Sequence, residues 1–103
     1  MKTISSQRYI DDGIVEAKRT ARDYDVAVSP EFEFDGQTFR VILDGHHSLE
    51  AAMLDGAEPV FVEQTNRDND TIGLIERGDI EGFLGANRID SDWYDVRSGR
   101  DIW

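Results

Sequence analysis

Apolar positions keep a period of two in three stretches of the chain and a helical period in four. Residues 24–34, YDVAVSPEFEF, alternate as a half-buried strand through Val26 and Val28, then Phe32 and Phe34 after a break at Pro30. Asp35-Gly36 predicts a hairpin turn, with QTFRVILD (37–44) returning antiparallel. PVFVEQ (59–64) reads as a further strand, partly parallel to its predecessor through a helical crossover. Residues 11–22, DDGIVEAKRTAR, place Ile14, Ala17 and Ala21 at helical spacing, with acids at the front and bases at the back to suit the helix dipole. A helix over 46–55 carries Leu49, Ala52 and Met53 on one face and closes at Gly56. Asp70 is placed to cap a helix with Ile72 and Ile75 inward, ending at Gly78, and Asp79 starts another with Ile80, Phe83 and Leu84.

These elements predict an α/β (α+β) fold: strands 26–34, 38–43 and 59–63 in one small mixed sheet packed by Ile14, Leu49, Met53 and Ile75. The 103 residues suffice for one domain, and 39% apolar content with ten aromatics is enough for a folded core. Residues 88–103 show no period, yet Trp93, Tyr94 and Trp103 are too apolar to be left loose, so this tail is expected to pack on the domain or on a partner. No apolar run approaches bilayer length and no basic-then-apolar leader is present. The absence of cysteine excludes disulfides, thiolate metal sites and a cysteine nucleophile, and makes the cytoplasm the expected compartment.

Twenty-two acids against eleven bases give −11, a field that repels nucleic acid directly and attracts a basic partner. The chemistry of most interest lies at Asp44-Gly45-His46-His47-Ser48. A strand runs into a glycine turn and then a helix start, whose free N–H groups favour an anion such as phosphate, with His47 and Ser48 as added donors.

The segment LDGHHSLEAAMLDGAEPVFVE, with the order helix, hairpin, glycine turn, helix, strand and helices over about residues 11–84, resembles the ParB/sulfiredoxin-like domain. Gly45, Ala51, Ala52, Gly56 and PVFV fall on the family's glycine turn, alanine-rich helix and short strand. Glu76 falls on its later acidic motif, and Gln7 and Arg8 resemble its N-terminal Gln-Arg segment. The resemblance implies a nucleoside triphosphate, with Mg²⁺, held at Gly45, His46, His47 and Ser48 with Arg8 and Glu76. It departs where Ser48 replaces the turn's arginine, a charged fork exchanged for one neutral donor. Arg77 and Ile80 stand where the family has asparagine and arginine, the sulfiredoxin cysteine would fall near His46, and the helix-turn-helix domain that follows in ParB is not expected.

The expected protein is therefore a stand-alone, degenerate member with no catalytic residue assigned, a regulatory domain with a weakened phosphate pocket. Arg8, Lys18, Arg19 and Arg22 form a basic cluster able to replace the missing arginine, and Glu50 with Glu76 is a candidate acid/base pair if their helices face each other. No metal is expected at His46 and His47, because adjacent helical residues point about 100° apart. The alternative function is an acidic, nucleic-acid-mimicking inhibitor of a basic nucleic-acid-handling protein, comparable to small phage-borne or anti-CRISPR inhibitors.

Overall fold

The computed structural model describes all 103 residues. In chain order the elements are β1 (Lys2–Ser5), α1 (Asp12–Ala21), β2 (Asp25–Val28), β3 (Phe32–Phe34) and β4 (Gln37–Asp44). They continue with α2 (His46–Asp55), β5 (Val60–Glu63), α3 (Ile72–Glu76), α4 (Ile80–Asn87) and β6 (Tyr94–Asp95). All six strands share one mixed sheet ordered β5-β2-β4-β1-β6, with β3 also paired to β4. No helix is long and apolar enough to cross a membrane.

The hairpin forms as its sequence dictates. Asp35 and Gly36 both take positive φ, 54° and 74°, which matches the right-handed strand twist, and Phe34 pairs with Gln37. At the Pro30 break, Ser29 keeps the sheet continuous: its N–H donates to the Val41 carbonyl and its hydroxyl accepts from the Val41 N–H. Alternation along β4 then sorts two cores. Phe39 and Val41 join Ile4, Phe32, Ile72, Phe83, Leu84 and Trp93 on one face, while Ile42 joins Val26, Val28, Leu49 and Val96 on the other.

Four expectations need correction. The crossover strand β5 pairs in parallel with β2, which is antiparallel to β4, so β5 runs opposite to β4 and two places away. The helix between them starts over Asp25 and ends where the Val60 N–H donates to the Tyr24 carbonyl, so the crossover begins and finishes at the same end of β2. Helix α1 turns Val15 inward and leaves Ile14 exposed, because the inner stripe continues through Lys18 and Arg19, whose charges meet Asp23 and Asp55. On α2 the buried residues are His46, Ser48, Ala51 and Ala52, and Met53 is exposed. Asp70 makes no side-chain cap on α3, whose N-cap is Thr71; Asp79 does cap α4, accepting from the Gly82 N–H at 3.0 Å.

The tail packs on the domain. Trp93 is buried, β6 pairs antiparallel with β1, and Trp103 meets Phe34 and Phe39 edge-on at 5.6 and 5.4 Å. Strand β1 carries no alternation to read, since Ile4 is its one large apolar residue.

The corrected helix faces are testable by urea unfolding. Val15→Ala should cost roughly 2 kcal/mol, whereas Ile14→Ala and Met53→Ala should each stay within about 0.5 kcal/mol of the parent. The opposite ranking would restore the face read from periodicity.

Candidate functional site

The turn between β4 and α2 is shaped by a close backbone crossing. Gly45 takes φ 97°, and a Cβ there would stand 2.7 Å from the Asp25 carbonyl oxygen and 2.9 Å from the Val26 Cα. Glycine is required because β2 passes directly beneath it. Asp44 accepts from the Gly45 N–H at 2.8 Å, and no side chain caps the α2 start.

The two histidines diverge. His47 Nε2 accepts from the Asp11 N–H at 3.1 Å, tying α2 to the residue that caps α1. His46 is buried and hydrogen-bonded through Nε2 to the Ser5 hydroxyl at 2.5 Å, so it reaches the end of β1. Burial lowers its pKa to about 4, against the opposing pull of the Asp44 carboxylate. No three His, Asp or Glu side chains come together in a metal-holding group.

Divergence places the six expected site residues in three locations. Gly45, His47 and Ser48 line one cavity of about 370 Å³ with Lys18, Asp23, Asp25 and Asp44. His46 and Arg8 line another, of about 200 Å³, with Glu50, Met53 and Tyr94. Glu76 is exposed at the end of α3, where the Asn66 amide donates to its carboxylate, and it lines neither cavity. Glu50 and Glu76 therefore share no cavity.

The basic cluster is dispersed as well. Arg8 stacks on Tyr94 at 4.0 Å and bridges Asp101, and Arg19 is held by Asp55 and Glu16. Arg22 lies beside Arg19 in a separate cleft with Tyr24. Only Lys18 reaches the glycine turn, and it bonds Asp23 at 3.0 Å. That bond, then the Asp25 N–H and more weakly the Ser48 hydroxyl, hold the Asp23 carboxyl below its ordinary pKa despite some desolvation. The cavity in front of α2 thus carries three carboxylates and one cation already engaged by a carboxylate. Sequence reasoning missed Ser5, Asp23 and Asp25 as neighbours of the turn, because only the β1 and β2 pairings bring them there.

Comparison with protein-family models, with curated proteins and with solved structures finds no match.

Two outcomes follow from this geometry. Gly45→Ala should destabilise the fold by at least roughly 2 kcal/mol, from left-handed strain plus the overlap with β2, measured by chemical denaturation. A neutral result would show that the crossing is looser than it stands here. His46 gives a pH dependence: its folded pKa lies below the unfolded 6.5, so the unfolded chain takes up the proton first as pH falls. Its contribution is whole above pH 6.5 and is lost between 6.5 and about 4, amounting to roughly 3 kcal/mol. His46→Asn should flatten the stability profile in that window.

Proposed function

We propose that the chain is a non-catalytic binding module that recognises a basic partner, of the kind that handles nucleic acid, through its carboxylates. The observation that carries this reading is that Asp23, Asp25 and Asp44 line the cavity at the glycine turn, where a phosphate would otherwise sit, against the single cation Lys18. The surplus of carboxylates that repels an anion attracts a cation. A second cleft of about 510 Å³ supports it: Glu33, Asp35, Asp79 and Glu81 line it with no base among them. Five of the twenty-two carboxylates and four of the eleven bases form ion pairs, leaving seventeen and seven outside them.

We read the scaffold as a ParB/sulfiredoxin-like variant, supported by its order of helix, hairpin, glycine turn, helix, strand and helices. On this reading Gly45 is kept for packing against β2 and not for a ligand. The competing reading, a nucleoside triphosphate with Mg²⁺ at Gly45–Ser48, is favoured by the uncapped start of α2 and opposed by the three carboxylates.

The binding reading requires association that is strong at low salt and weak when the Debye length falls to about 3 Å near 1 M. Capture from a native lysate at the two salt levels should recover a basic nucleic-acid-handling protein only at the lower one. The triple variant Asp25→Lys, Glu33→Lys, Glu81→Lys alters exposed side chains and should weaken that binding at least about tenfold. A partner that binds the variant as well as the parent defeats the proposal. Nucleoside triphosphates with Mg²⁺ should give no rise in Tm that depends on Ser48; a saturable rise lost in Ser48→Ala would transfer the function to the phosphate reading.

A further inference from the structure

We propose a second binding site, independent of the acidic surface: the cleft of about 540 Å³ lined by Lys2, Arg40, Arg97 and Phe61 takes a phosphate group, free or carried on a small molecule. Seven of the eleven bases lie outside ion pairs, and three of them converge on this one cleft, from β1, β4 and the segment after β6, with none within 4.0 Å of a carboxylate oxygen.

Arg40 is set in place before any ligand arrives. Its Nε donates to the Thr3 hydroxyl at 2.8 Å, and its guanidinium carbon sits 4.1 Å from the centre of the Phe61 ring. Its terminal nitrogens have no acceptor within the protein, which leaves a planar donor pair of the kind that matches phosphate oxygens. Lys2 and Arg97 add two exposed positive charges to the lining, and neither side chain is hydrogen-bonded within the protein. Two carboxylates, Glu58 and Asp95, also line the cleft, and Asp95 is partly occupied by the Arg97 N–H at 3.0 Å. The cleft therefore keeps a net positive charge on a strongly negative protein. Its volume falls within the range of small-ligand sites, and the half-exposed Phe61 offers an apolar wall for the body of an organic phosphate.

The test is a titration of the ¹⁵N-labelled full chain at low salt with inorganic phosphate and, separately, with phenyl phosphate, followed by amide shifts. Saturable shifts centred on Thr3, Arg40, Phe61 and Arg97 are expected for at least one of them. Tighter binding of phenyl phosphate would assign an organic ligand packed on Phe61, and equal binding a free anion. The double variant Lys2→Gln, Arg97→Gln changes two exposed side chains without hydrogen bonds, so it should fold normally and bind at least about tenfold more weakly. Arg40→Lys keeps the charge but loses the fork and should also weaken binding. Shifts centred on Gly45–Ser48, no saturable response to either compound, or a double variant that binds like the parent would overturn the site.

Discussion

Strand β4 is the constraint on which the rest of the structure depends. One of its edges pairs in succession with β2, Ser29 and β3, and the other pairs in parallel with β1, which in turn pairs with β6. Its alternating side chains divide the core: Phe39 and Val41 are fully buried toward α3, α4 and Trp93, and Ile42 toward α2. Both ends of the chain are thus ordered through β4. The same pairing with β2 brings Asp25 and Val26 beneath residue 45, which is why the strand can pass into α2 only through glycine.

Charge acts in two different ways on this frame. The pair Arg19–Asp55, with the Tyr24 hydroxyl donating to Asp55, ties α1 to the end of α2, and Lys18–Asp23 ties α1 to the segment leading into β2. The bases are more than a third exposed there, so solvent screens both pairs, and the buried Val15 matters more for stability. Elsewhere the acids find few bases, and what they supply is long-range attraction that salt screens. The cleft around Arg40 is where three of the unpaired bases gather, against two carboxylates.

The glycine turn illustrates how one motif admits two physical explanations. A positive φ before a helix start is what an anion site needs, and it is also what a close backbone crossing needs. Here the crossing accounts for Gly45 by itself, and the surrounding carboxylates set the sign of the potential. His46 follows the same logic: its neighbour is Ser5 in the interior, and burial keeps it neutral at ordinary pH.

What the sequence determined by itself are the features set by neighbours a few residues apart. The Asp35-Gly36 hairpin, the α2 span with its Gly56 cap, the Asp79 cap and the inward Phe83 and Leu84 were all legible, because turn geometry, capping and period are local. The divergence of the two histidines was legible too, from the 100° step of a helix. Tertiary structure alone decided the rest. A four-residue β1 with one large apolar side chain has no pattern to read, and only pairing with β4 makes it a strand. The inner face of α1 runs through Lys18 and Arg19, so hydrophobic period pointed elsewhere until Asp23 and Asp55 were placed beside it. The charge around the candidate site depended on which strand passes under Gly45, and that contact joins residues twenty positions apart, beyond the reach of any local pattern.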